Sequence, residues 1–250
     1  MMKLSGKKVV ITGASSGIGL ETLKLLLKEN ATVVAASRSM SKTDIEGNLY
    51  KIDLDLSKTE AIDQLFDFAL EKLGDIDIFI SNAGFTYYER LQTYDEKHVN
   101  DLFALNLYQT IHAATKLKAL KKDQPFNFVS TLSATAFVSL PGYALYSSTK
   151  AALRGFLDGY RFEMEKGQVL QAVYPVATRT KFFERAKQEH LPWPVQTPEH
   201  VAKKIIQGIQ KEKKHIHPSF IFKYGYMLAP WFFKIYNVRE KKIFDRLVKK

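Results

Sequence analysis

At 250 residues the chain fits one domain, and 46% apolar with 25% charged residues is the balance of a protein that buries a sizeable core. It has no cysteine, which excludes disulfides, thiol catalysis and any zinc site with Cys ligands. The net charge of +11 raises the question of a polyanionic partner. Many of the lysines, however, fall late in the chain (Lys203-Lys204, Lys213-Lys214, Lys241-Lys242), as a tail asymmetry rather than a patch interleaved with base-stacking aromatics, so no nucleic acid is expected. The opening Met1-Met2-Lys3-Leu4-Ser5-Gly6 lacks the apolar stretch of a secretion signal, and a cytoplasmic location is the expectation.

Taken in chain order, Lys7–Thr12 reads as a buried strand, followed by glycines and a helical pattern over Ile18–Leu27. Thr32–Ala36 is a second strand and Leu49–Ile52 a third. Lys58–Lys72 is a helix with Ile62, Leu65, Phe66 and Ala69 on one face. Ile76–Ile80 is the fourth strand, and a long helix from about Asp95 to Lys121 follows. Phe126–Ser130 is the fifth strand, Ala144–Glu165 a helix, and Val169–Tyr174 the sixth strand. Strands separated by helices imply right-handed crossovers and a parallel sheet covered on both faces, an α/β doubly wound fold in a single domain over residues 1–250.

Between the first strand and the first helix stands Thr12-Gly13-Ala14-Ser15-Ser16-Gly17-Ile18-Gly19. Glycines there let backbone amides approach phosphate, and a helix amino terminus offers unpaired N–H groups and partial positive charge. In dinucleotide folds an acidic residue near the end of the second strand holds the ribose 2′-hydroxyl, whereas an arginine accommodates a 2′-phosphate. Here that strand runs into Ser37-Arg38-Ser39 with no carboxylate. The expected cofactor is NADP(H), with Ser37 donating to the 2′-phosphate and Arg38 pairing with it.

With the Thr-Gly-x-x-x-Gly-x-Gly spacing in hand, residues from about Lys7 to Thr180 resemble the short-chain dehydrogenase/reductase family, whose fold is of the Rossmann type. The resemblance implies that Asp55-Leu56 contacts adenine and that the turn Asn82-Ala83-Gly84 steadies the sheet and lines the cofactor. It also implies a catalytic set of Asn106, Ser133, Tyr146 and Lys150, with Ser133 thirteen residues before Tyr146 and Asn106 twenty-seven before Ser133. Asn106 would position a water that links Lys150 to solvent. A homodimer or homotetramer packed through the helices bearing Asn106 and Lys150 is implied as well. The neighbours Ser130, Thr131, Tyr143 and Ser147 are offset from the pattern and are not candidates.

The residues themselves support the chemistry. Tyr146 and Lys150 are four apart on a predicted helix and share a face. A free phenol titrates near ~10, and a neighbouring ammonium lowers that value. Tyr146 can then exchange a proton with a developing alkoxide while Ser133 polarises the carbonyl oxygen. The expected activity is an NADP(H)-dependent interconversion of a ketone or aldehyde and an alcohol, in the carbonyl reductase direction. The competing readings are a non-catalytic NADP(H)-binding sensor and a scaffold on a membrane periphery.

The chain departs from the family pattern after the sixth strand. Pro175, Val176, Thr178 and Thr180 are taken as cofactor-binding, Thr180 standing where a threonine meets the nicotinamide carboxamide. Val176, however, replaces the usual glycine, and a β-branched residue resists positive φ. Residues 178–198 are expected to form a substrate loop whose Phe182, Phe183, Leu191, Trp193 and Val195 favour an apolar substrate. Lys214–His217 is a short last strand, with His215 and His217 as strand-end decoration rather than metal ligands. The extension 218–250 opens with the run Phe220–Tyr236, rich in aromatics, interrupted by Lys223, Pro230 and Lys234, and too short for a membrane span. It admits three readings: a substrate lid, a subunit contact, or a peripheral membrane contact that would make the protein membrane-associated.

Overall fold

The computed structural model of the chain describes residues 1–185, 191–228 and 230–248. The alternation read from the sequence is realised as β1 (Lys8–Thr12), α1 (Gly17–Lys28), β2 (Thr32–Ser37), β3 (Leu49–Asp53), α2 (Ala61–Leu73), β4 (Ile78–Ser81), α3 (Glu96–Phe103), α4 (Gln109–Lys121), β5 (Phe126–Thr131), α5 (Ala144–Tyr160) and β6 (Gln168–Val173). Then come β7 (Ala177–Thr178), α6 (Lys181–Arg185), β8 (Val195–Gln196), α7 (Pro198–Gln210), β9 (His215–Ile216), α8 (Phe220–Leu228) and α9 (Pro230–Leu247).

Seven strands form one parallel sheet in the order β3-β2-β1-β4-β5-β6-β9, and β7 pairs with β8 in a separate ribbon. The central strands are apolar almost without break, as strands covered on both faces must be. Val10, for example, pairs with Val34 on one side and Phe79 on the other. One face carries the stack Phe66, Phe79 and Phe128, with ring centroids 5.4 and 5.5 Å apart, and is covered by α2, α4 and α5. The other face, with Val9, Ile11, Val33 and Ile80, is covered by α1 and α7. The order reverses at β1, so the loops leaving the carboxyl ends of β1 and β4 part and open a crevice there.

Local signals account for several helix ends. The Thr197 hydroxyl accepts from the His200 amide and Pro198 opens α7. The Asp95 carboxylate caps α3 in the same way, and Gly74 closes α2 at φ +72°.

Two helices differ from the sequence reading. The helix expected from Asp95 to Lys121 is broken by a π turn at Ala104–Tyr108. That turn contains Asn106, whose amide donates to Phe85 O (2.8 Å) and accepts from Phe85 N (3.0 Å), a loop contact that accompanies the wider turn. The helix expected to reach Glu165 ends at Tyr160, where the Arg161 guanidinium turns to the carbonyls of Leu170 and Lys214. The carboxyl-terminal extension, to which the sequence reading assigns no secondary structure, forms two helices, α8 and α9.

Candidate active site

The loop after β1 is close-packed around its glycines. A Cβ on Gly19 would fall 2.2 Å from the carbonyl oxygen of Gly13, and one on Gly13, which sits at φ +67°, would fall 2.9 Å from Ala83 Cα. No side chain fits at either place, so the backbone itself faces the crevice. Ser16, the residue that opens α1, makes no side-chain capping bond, which leaves the first amides of the helix for a ligand. Thr180 closes over the loop, its Cγ2 within 2.9 Å of where a Gly17 Cβ would be.

Thr12 and Asn82 join this loop to the neighbouring strands. The Thr12 hydroxyl accepts from the amides of Asn82 (2.9 Å) and Ala83 (3.0 Å). The Asn82 side chain donates to Thr12 O and accepts from the Thr131 hydroxyl. One amide thus couples the ends of β1, β4 and β5, the steadying expected of the Asn82-Ala83-Gly84 turn.

A cleft of about 700 Å³ runs from this loop across the sheet. Gly13, Ser15, Ser16, Gly17 and Ile18 line its middle; Ser37, Arg38, Asp55 and Leu56 one end; Asn82, Ala83 and Gly84 its floor. Ser133, Tyr146, Lys150, Pro175, Val176, Thr178 and Thr180 line the other end. Two of the sequence-derived residues are not on its wall. Gly19 packs behind the loop, and Asn106 spends its amide on Phe85 and on the Thr149 hydroxyl (3.4 Å).

At the polar end, Ser37 is buried, its hydroxyl accepting from the Ser39 amide at 3.3 Å, while Arg38 is exposed on the rim. Burial tends to raise the Asp55 carboxyl, but hydrogen bonds from Ser57 and the charges of Arg38 and Lys58 hold it below its ordinary value. A phosphate-bearing dinucleotide fits this set: a glycine loop that excludes side chains, a helix amino terminus, and a cation at the rim.

At the opposite end Tyr146 and Lys150 are both buried, 9% and 4% exposed. The Lys150 ammonium lies 5.7 Å from the Tyr146 ring centre and donates to Thr131 O at 3.0 Å. Burial brings the Lys150 pKa down to about 8. Burial pushes the Tyr146 phenol above its ordinary value, opposed by a hydrogen bond with the Ser133 side chain. Desolvation is the larger effect, and the phenol keeps its proton at neutral pH. Val176 is not among the residues at positive φ, so the turn after β6 does not need the conformation glycine supplies. The Thr178 hydroxyl instead braces it by donating to Val176 O at 2.9 Å.

Beyond Tyr146 the wall is aromatic. Phe182 meets the Tyr146 ring edge-on at 5.6 Å, and Phe183, Trp193, Tyr143, Phe222, Phe233 and Tyr236 continue the lining. Three of the expected loop's apolar residues are thus on the cleft; Leu191 and Val195 are not among the lining residues, and positions 186–190 of that loop lie outside the described residues. Sequence reasoning missed Tyr143 and Thr131, both offset from the catalytic spacing, and also Tyr87, Lys97 and Asp101 at the rim, for which it carries no signal.

A doubly wound sheet with a side-chain-free glycine loop at its crevice and Ser133 beside the buried Tyr146 and Lys150 is the arrangement of a nucleotide-binding oxidoreductase. Residues 7–191 match the short chain dehydrogenase family, and the chain belongs to it. It is 29% identical to 3-ketodihydrosphingosine reductase of Dictyostelium discoideum, with 91% of this chain and 79% of that protein covered. Among solved structures it resembles a short chain dehydrogenase of Burkholderia cenocepacia in complex with NADP (TM-score 0.80, 20% identity, 94% of this chain and 98% of that one). It also resembles a Burkholderia phymatum short chain dehydrogenase/reductase in complex with NAD (TM-score 0.78, 18% identity, 97% and 96%).

Proposed function

We propose that the chain is an NADP(H)-dependent reductase of an apolar ketone, with Tyr146 as the acid. The observation that carries this reading is the buried Tyr146 phenol, hydrogen-bonded to Ser133 and facing an aromatic wall in a cleft shared with the glycine loop. NADPH held along the glycine loop and the Ser37–Arg38 rim would supply a hydride to the carbonyl carbon. The Ser133 hydroxyl hydrogen-bonds the carbonyl oxygen and orients it, and Tyr146 gives that oxygen its proton, leaving an alcohol and a phenolate. Lys150, whose pKa lies at about 8, stabilises the phenolate while charged and can return the proton to it. Asn106 acts at one remove, holding Phe85 and hence the turn beside Gly84.

Preference for the phosphorylated cofactor rests on Ser37 and Arg38: no carboxylate ends β2 to repel a 2′-phosphate, and a guanidinium stands at that rim. The name of the Dictyostelium relative supports a ketone as substrate and reduction as the direction. A cytoplasmic location and a homodimer or homotetramer packed through α4 and α5 belong to the same proposal, the assembly being open to sedimentation analysis. Among the described residues no helix is long and apolar enough to cross a membrane.

The test is a ketone panel assayed with NADPH and with NADH. Oxidation of NADPH in preference to NADH by an apolar panel member is the expected result. Tight NADPH binding with no turnover across the panel would instead favour a sensor.

A further inference from the structure

The last two helices have two unlike faces. On α9, Phe233, Tyr236, Glu240 and Phe244 recur at helical spacing and face the protein. Phe233 and Tyr236 line the cleft, Glu240 is buried and hydrogen-bonded to Tyr236, and Phe244 meets Tyr88 edge-on at 5.5 Å. Arg90 pairs with Asp245 at 2.8 Å and Asn237 donates to Ser139 O at 3.1 Å, which pins the helix over the substrate end.

The other face of α9 is apolar and faces water. Trp231, Ile235 and Val238, spaced four and three residues apart, are 63%, 62% and 59% exposed. On α8, Phe220 and Ile221 are exposed as well, at 74% and 54%. Isolated exposed apolar residues are ordinary, but a set at helical spacing marks a surface that meets something apolar.

Charge points to the occupant. Residues 220–250 contain eight lysines and arginines against two acidic residues. Of those two, Glu240 is buried and Asp245 is paired with Arg90 and Lys241. Lys223, Lys234, Arg239 and Lys242 are exposed beside the apolar side chains. A second copy docked face to face by a twofold axis would bring two such basic surfaces together. Phosphate headgroups over an acyl layer satisfy both parts of the face, with Trp231 at the depth aromatic rings favour and the lysine stems reaching back to the headgroups.

We propose that α8 and α9 dock the protein on an anionic lipid bilayer. The substrate is a ketone whose alkyl chain comes from that bilayer, passing under the inner face of α9 toward Tyr146. The substrate part rests on the reductase reading above; the docking part does not. It explains why the same helices both wall the cleft and leave apolar side chains in water, and why Trp193 stands half exposed on the cleft wall.

The test is flotation of the full chain with phosphatidylcholine vesicles, with and without phosphatidylglycerol. Wild type should float with the anionic vesicles, and Ile235→Glu/Val238→Glu should bind them about tenfold or more weakly. The double variant should keep wild-type affinity for NADPH and wild-type turnover of a short, water-soluble ketone. Trp193→Phe leaves Trp231 as the only indole, and its emission should shift to the blue on anionic vesicles. Tyr146→Phe should float as wild type does even if no ketone is ever turned over, so failure of docking and failure of the reductase reading are distinguishable. Wild type that does not float, or a double variant that floats equally, would overturn the proposal. So would a wild-type dimer that the double variant splits in sedimentation, because a second copy would then cover the face.

Discussion

Between β1 and Thr180, the polar side chains beneath the glycine loop are engaged by one another, whereas on α8 and α9 large apolar side chains are left in water. Asn82 links Thr12 and Thr131 by hydrogen bonds beneath the glycine loop. Trp231, Ile235 and Val238 stand more than half exposed. The first region is shaped for a ligand of fixed chemistry, a dinucleotide, and its tolerance for change is small because the Gly13 and Gly19 positions admit no side chain. The second carries the proposed substrate and docking roles.

The comparison can be sharpened by substitutions in the first region whose effects the second should not share. Phe79→Ala, which empties the middle of the stack between Phe66 and Phe128, should cost about 3–5 kcal/mol in urea unfolding. Ile235→Ala on the outer face of α9 should change stability by no more than about 0.5 kcal/mol.

Lys150 offers a test through pH. In the folded chain it holds its proton only up to about pH 8, whereas unfolded it titrates near its ordinary 10.5. Between those values the unfolded chain binds more protons, so stability should rise with pH by up to roughly 3 kcal/mol, the burial penalty being fully present below the folded value. Lys150→Met should lose that rise. An unchanged slope in the variant would mean that the ammonium is not desolvated in the way described.

Smaller effects concern the two ends of the cleft. Ser133→Ala should lower turnover by about 10²-fold with little change in NADPH affinity, since the hydroxyl meets Tyr146 and the carbonyl rather than the cofactor. Arg38→Ala should weaken NADPH about tenfold and leave NADH nearly unchanged, narrowing the preference. Equal losses for both cofactors would assign Arg38 to general attraction instead.

Much of this was legible before any coordinates. The strand and helix alternation stated the parallel sheet, because continuous runs such as Val9-Val10-Ile11 only suit strands covered on both faces. The family resemblance implied that Ser133, Tyr146 and Lys150 act together, and the three line one end of one cleft. What escaped was set by tertiary contact. The π turn at Asn106 is tied to a loop twenty-one residues away, at Phe85, which periodicity within the helix cannot report. Val176 looked like a conformational conflict, yet the backbone there avoids positive φ and Thr178 braces the turn. The ammonium of Lys150 was expected to lower the phenol of Tyr146, whereas burial of both groups dominates, a term that depends on packing and not on spacing. On α8 and α9 the aromatic composition was plain, but dividing it into an inner and an outer face required knowing which side meets Tyr88 and Ser139.

The account turns on Tyr146 as the proton donor. The most direct measurement compares wild type and Tyr146→Phe for consumption of NADPH with an apolar ketone and, separately, for NADPH binding by quenching of protein fluorescence. Loss of turnover by about 10²–10⁴-fold with binding retained is the predicted result. Turnover at the wild-type rate in the variant would contradict it.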